Sequence, residues 1–308
     1  MTMLPRRNVL IWLAAAGFGA LAVAASAQER PAEKPKVVAT FSILGDLVRN
    51  VGGDRVEVAT LVGPDGDAHV YSPTPADGRR LADAALVVAN GLKLEGWMGR
   101  LIKSSGTKAR VVEAAKGVQP IKAEEHGHDH GHAEVDPHAW QSVANAKIYV
   151  ANIRDGLIAA DPAGQAAYEA NAAAYLARLD ALDAEIKAAV EAIPKDRRKI
   201  ITSHDAFGYF QKAYGIAFIA PQGVSTEAEA SAKDVGNIIR QIRREKIPAV
   251  FLENVSDPRL AQRIAKESGA RIGGRLYSDA LSGAGGPAGT YIDMMRHNIR
   301  ALGAALSS

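Results

Sequence analysis

The chain has 308 residues, no cysteine and a formal charge of +3. The missing thiols exclude a disulfide scaffold, a thiolate metal site, thiol catalysis and an N-terminal lipid carried on cysteine. The small charge argues against a nucleic-acid partner, because KDRRK and RQIRREK are only local patches that read as solvated helix or loop surface.

Residues 1–27 place Arg6 and Arg7 ahead of an alanine-rich apolar run and end in Ala25-Ser26-Ala27, a small-x-small cleavage pattern. This predicts a secretory signal peptide in preference to a retained anchor. The paired arginines also fit the twin-arginine route, although such pairs are common in ordinary export signals. Removing 27 of the 308 residues leaves 281 and lowers the formal charge to +1. No later stretch approaches a membrane span, so a soluble periplasmic protein is expected, beginning with a short tail at 28–35.

From residue 36 onward, short β-branched runs alternate with helical patterns. KVVATFS precedes ILGDLVRNVGG, VEVATLV precedes PADGRRLADA, ALVVANG precedes LEGWMGRLIKSS, and ARVVEAA leads into a histidine-rich insertion at 124–132. After KIITSHDAFGYFQKAYG the second half repeats the scheme with IAFIAPQ, DVGNIIRQIRREK, AVFLENV, LAQRIAKESGA and ARIGGRLYS. Such alternation predicts an α/β fold of two lobes, at 36–160 and 195–308, each a mostly parallel sheet with flanking helices. Between them, 161–194 is rich in alanine and leucine. Asp161 is a candidate cap and Pro162 suits a first helical position, which predicts one helix of roughly 28 residues, about 40 Å long, that acts as a rigid backbone joining the lobes.

Histidine carries the chemistry. His126, His128, His130 and His132 interleave with Glu124, Glu125 and Asp129, whereas His69, His138 and His204 stand alone. His69 follows the VATLV strand, His138 lies in VDPHAW at a helix start, His204 follows KIITS, and Asp279 follows RIGGRLYS. Ligands of open parallel sheets collect at the carboxyl ends of strands, so these four positions are able to converge on one cleft, two from each lobe. Asp136 is available to cap the helix or to accept an imidazole N–H. Taken alone, Asp279 also fits an ordinary helix cap, and His297 in YIDMMRHNIRAL reads as surface or packing.

GDAHVYSPTP, VDPHAW, the long helix, TSHDAFGYF, TEAEAS after PQGVS, and LYSDALS together resemble the cluster A-I solute-binding proteins of zinc and manganese ABC transporters, over nearly all of the mature chain. The resemblance implies two α/β lobes on a rigid helix, with a metal held between them by His69, His138, His204 and Asp279. It also implies a membrane permease as partner. Manganese-preferring members typically carry glutamate at the position of His204, so this departure points to Zn(II), with Mn(II) or a broad range of divalent metals as the alternative.

Three neutral imidazoles and one carboxylate suit tetrahedral zinc, whereas manganese is better served by more oxygens. Acid is expected to release the metal, and metal to stabilise the fold. The run at 126–132 is expected to serve as a weaker, auxiliary capture site that is dispensable for the tight one, concentrating metal or accepting it from a periplasmic metallochaperone. A zinc-dependent hydrolase is the competing class. It is disfavoured because a fourth protein ligand takes the position needed for activated water and no HExxH supplies a base. Glu227 and Glu253 are expected to organise the C-terminal lobe or to hydrogen-bond to ligands, and the protein to be a monomer.

Overall fold

The computed structural model describes residues 33–122 and 135–307, together with Thr2. Apart from Thr2, the export signal expected at 1–27 lies outside the described residues, as does the histidine run at 124–132. In the first lobe, β1 (Lys36–Phe41), β2 (Glu57–Val62), β3 (Leu86–Ala89) and β4 (Arg110–Glu113) form a parallel sheet in the order β2-β1-β3-β4. The helices α1 (Ser42–Gly52), α2 (Pro75–Ala82) and α3 (Met98–Ser105) connect the strands. β1 and β3 are apolar almost throughout because central strands of a doubly covered sheet bury both faces. At the edge, β4 is flanked by Arg110 and Glu113, and Val111 is 40% exposed. Charge at an open edge discourages pairing with another chain.

α4 (Val143–Ala160) and α5 (Gln165–Glu191) follow. The second lobe repeats the scheme. β5 (Lys199–Ile201), β6 (Ala217–Ile219), β7 (Ala249–Glu253) and β8 (Arg271–Leu276) are parallel in the order β6-β5-β7-β8, with α6 (Gly208–Tyr214), α7 (Ala232–Glu245) and α8 (Pro258–Ser268) between them. The last helix, α9 (Tyr291–Leu306), returns to pack on α5 and β8. The architecture is thus two α/β lobes with parallel sheets, linked by a long backbone helix.

α5 buries Tyr168, Ala172, Tyr175, Leu179, Leu182, Ile186 and Val190. Steps of three and four put these side chains on one stripe, which meets α1, α4 and α9. At 27 residues α5 is about 40 Å long. Its start differs from the sequence expectation. Asp161 makes no side-chain cap, and a 3-10 turn, Pro162–Gly164, precedes the α-helix. The Asp161 carboxylate instead accepts from Tyr168 Oη at 2.6 Å and Arg55 Nη2 at 3.0 Å. These three side chains close around Gly164, where a β-carbon would lie 2.5 Å from the Tyr168 ring and 2.6 Å from Arg55 and Asp161.

The two lobes do not have separate cores. One continuous apolar cluster contains Val37 and Val88 of the first sheet, Leu179 of α5, Phe251 and Leu276 of the second sheet, and Met295 of α9. A smaller cluster covers the other face of the second sheet, where Val235, Ile238, Ile239 and Ile242 of α7 pack with Ile264 of α8. Lys34–Ser308 accordingly forms one compact unit.

Candidate metal centre

His69 ends the loop that leaves β2. Asp65 turns this loop with a left-handed φ of 55°, and Asp67 Oδ1 accepts from the backbone N–H of His69 at 2.8 Å. Trp97 Nε1 donates to the carbonyl of Ala68 at 2.8 Å, so the backbone is held on both sides before the imidazole emerges.

His138 uses the same device. Asp136 Oδ1 lies 2.8 Å from both the backbone nitrogen and Nδ1 of His138. Nδ1 donates to this carboxylate, which leaves Nε2 as the free donor atom. Asn90 Nδ2 donates to the Pro137 carbonyl at 2.9 Å, and Tyr149 Oη donates to Asn90 Oδ1 at 2.6 Å. The Trp140 and His138 rings pack edge to face, with centroids 5.3 Å apart. Gly208 is required here, because a β-carbon would sit 2.5 Å from Asp136 Oδ2.

In the second lobe, His204 follows β5 and Glu253 ends the adjacent β7. Glu253 Oε1 accepts from the backbone N–H groups of Ser203 at 2.7 Å and His204 at 3.0 Å, while Oε2 lies 2.6 Å from His204 Nδ1. Asp279 follows β8, and the preceding Ser278 carbonyl accepts from Trp140 Nε1 at 2.9 Å and Gln141 Nε2 at 2.8 Å. Residues of the first lobe therefore help to aim an acidic group of the second.

The four side chains are buried and converge, with one donor atom from each inside a 4.8 Å span. Nε2 of His69 and Nε2 of His138 are 3.1 Å apart. Asp279 Oδ2 lies 3.0 Å from His204 Nε2 and 3.5 Å from His69 Nε2, and its Oδ1 lies 3.5 Å from His138 Nε2. Zinc–nitrogen bonds of 2.0–2.1 Å arranged tetrahedrally require donor–donor edges of about 3.3 Å. The four closest spacings, 3.0–3.5 Å, lie on either side of that edge, within a donor set that spans 4.8 Å. Both Asp279 oxygens are fully buried without a well-aligned hydrogen bond, and their near neighbours include the three imidazole nitrogens. A buried carboxylate of this kind needs positive charge beside it, from protonated imidazoles when metal is absent or from a cation that the neutral imidazoles share.

The protonation behaviour agrees with the charge distribution. Burial raises the Asp279 pKa, but His204 and His138 overcome it and hold the carboxyl well below the usual range. Burial opposes protonation of His204, yet Glu253 and Asp279 lift its pKa well above the ordinary imidazole value. His138 is raised by Asp279 and Asp136, also against burial.

All four residues singled out as ligands in the sequence come together, while the other motif histidines at 126–132 lie outside the described residues. Glu253 contacts a candidate ligand directly. Glu227 is exposed and lines a cavity that also reaches His69. His297 stands apart, with Nε2 2.9 Å from the Arg275 carbonyl and its ring against Tyr277. Asp67 is the supporting residue that sequence reasoning missed. The signal was present, since Asp67-Ala68-His69 and Asp136-Pro137-His138 repeat the same Asp-x-His spacing.

Residues 37–305 match the family described as the periplasmic component A of the zinc-uptake complex. The iron-binding protein YfeA of Yersinia pestis is 37% identical over 282 residues, covering 91% of this chain and 89% of YfeA. The solved structure of the periplasmic zinc-binding protein TroA from Treponema pallidum superposes with a TM-score of 0.83 at 34% identity, covering 90% of this chain and all of TroA. A manganese-bound periplasmic metal-binding protein from Candidatus Liberibacter asiaticus gives a TM-score of 0.80 at 32% identity, covering 89% of this chain and all of that one. With this fold and a buried cluster of three histidines and an aspartate, the chain belongs to the cluster A-I periplasmic metal-binding proteins, the non-catalytic solute-binding components of metal ABC transporters.

Proposed function

We propose that this protein captures Zn(II) in the periplasm through Nε2 of His69, His138 and His204 and the carboxylate of Asp279, and delivers it to a membrane permease. The observation that carries this reading is the donor set itself: three imidazole nitrogens and a buried carboxylate converging within 4.8 Å, the closest pairs 3.0–3.5 Å apart. Zinc has no geometric preference from its d electrons and accepts a four-coordinate N/O shell, whereas manganese favours six, mostly oxygen, donors. Manganese is the second reading, favoured by one feature. Oδ1 and Oδ2 of Asp279 both face imidazoles, so a bidentate carboxylate would raise the coordination number.

Residues 124–132 enter this reading as an auxiliary, weaker capture site contributed by His126, His128, His130 and His132. Lys122 and Val135, on either side of the segment, pair in an antiparallel bridge, and Val135 lines the cavity that reaches His69.

Competition between Zn(II) and Mn(II) on metal-free mature protein, alongside His204→Glu, tests the assignment. One tight zinc equivalent that excludes manganese, with the selectivity narrowed in H204E, is the expected result. Manganese binding as tight as zinc or tighter overturns the zinc assignment.

A further inference from the structure

We infer that residues 222–229 form a strap across the donor cluster, and that the hydrogen bond from Thr226 Oγ1 to Asp67 Oδ2 is the latch that sets the rate of metal exchange. The inference rests on the reading of His69, His138, His204 and Asp279 as one metal site.

His138, His204 and Asp279 have no exposed surface, whereas His69 retains 7%. Exchange therefore has to begin at the edge of His69. A cavity of about 140 Å³ reaches that edge, with Leu92, Lys93 and Pro137 on one side and Val224, Ser225 and Glu227 of the strap on the other. The first wall is costly backbone. Leu92 and Lys93 hold left-handed φ values of 51° and 67° directly after Gly91 at 83°. Consecutive left-handed residues bearing a β-carbon persist only where their surroundings impose them. A second cavity, of about 460 Å³, is lined by Asp67, Ser203, Gln222 and Thr226 among others. Strap residues thus line two cavities, which leaves the segment room to move.

Its attachments join the two ligand loops of opposite lobes. At one end Gln222 pairs with His204 in a parallel bridge, and the N–H of Asp205 donates to the Gln222 carbonyl at 3.1 Å. Gln222 Nε2 donates to the carbonyls of Thr226 at 3.1 Å and Ala228 at 2.7 Å, which keeps the strap folded as a turn. At the tip, Thr226 Oγ1 donates to Asp67 Oδ2 at 2.6 Å, and the other oxygen of the same carboxylate holds the His69 backbone. Lifting the strap away from His69 breaks the Thr226–Asp67 bond and leaves the bridge at His204 in place. Asp67 and Thr226 are therefore positioning residues that touch no metal. A hydrogen bond to a charged acceptor of this kind alters an opening equilibrium roughly tenfold or more.

The test is chelator-driven release of Zn(II) from the loaded mature chain, followed by stopped flow, for the unsubstituted protein, T226V, T226S, D67A and the D67A/T226V double variant. T226V keeps the side-chain shape without the hydroxyl and is expected to release zinc roughly tenfold faster. T226S retains the donor and is expected to release at the original rate. In the D67A background T226V is expected to add nothing, because both act through one bond. The Co(II) absorption spectrum of T226V should match that of the unsubstituted chain, since the four donors are untouched. Unchanged release from T226V, or the same acceleration with and without Asp67, overturns the latch alone. Failure of the unsubstituted chain to bind metal tightly overturns the metal-site reading together with the latch.

Discussion

At the residue scale, the second partner of His138 and of His204 decides which nitrogen faces the cluster. In the neutral, metal-binding form of His204, the Glu253 carboxylate, with Oε2 2.6 Å from Nδ1, favours the proton on Nδ1 and the lone pair on Nε2. Glu253→Gln replaces a pure acceptor by an amide able to donate to Nδ1, which favours the wrong tautomer. Zinc affinity, read by competition with a chromogenic chelator, is expected to fall roughly 10–100-fold while stoichiometry stays at one. A pH dependence follows from the same charges. His204 and His138 have pKa values raised above the ordinary 6.5 in the metal-free fold. Their contribution to metal-free stability is fully present below 6.5 and is lost as pH rises through the raised values. Metal requires the neutral imidazoles, so its grip strengthens across the same window. Thermal melts from pH 6 to 9 should show the metal-free protein weakening and the gain in Tm from zinc widening as pH increases. Asp279 acts at the acid end, where its contribution, present above 3.8, is lost as pH falls through its depressed value.

At the element scale, α5 ties the halves together through its buried stripe. Leu179 is fully buried midway along it. Leu179→Ala should cost about 2–5 kcal/mol in urea unfolding and leave zinc stoichiometry unchanged. The elements themselves are legible in the sequence because each strand is a short β-branched run and each helix an apolar stripe, both of them local signals. The ligands are legible for a related reason, since His69, His204 and Asp279 each follow a strand. The start of α5 is not. Asp161 and Pro162 carry a local helix-start signal, but the Asp161 carboxylate is claimed by Arg55, 106 positions away, and by Tyr168. Likewise, Thr226 meets Asp67 across 159 positions. No periodicity or spacing encodes contacts made by the assembled lobes.

At the scale of the whole molecule, the continuous core predicts one unfolding event. Differential scanning calorimetry of the metal-free mature chain should give a single transition whose calorimetric and van't Hoff enthalpies agree, displaced upward by zinc. Two resolved transitions would show that the lobes fold independently. The same continuity limits how the loaded state can be recognised. Prising the sheets apart would wet side chains such as Phe251, Leu276 and Met295, each worth about 1.5–3 kcal/mol when buried. The continuous core thus opposes a wide separation of the lobes when an ion enters or leaves. The rim nearest the cluster is the cavity lined by His69, Lys93 and Glu227, so full and empty carriers are expected to differ at the doorway and not in the shape of the house.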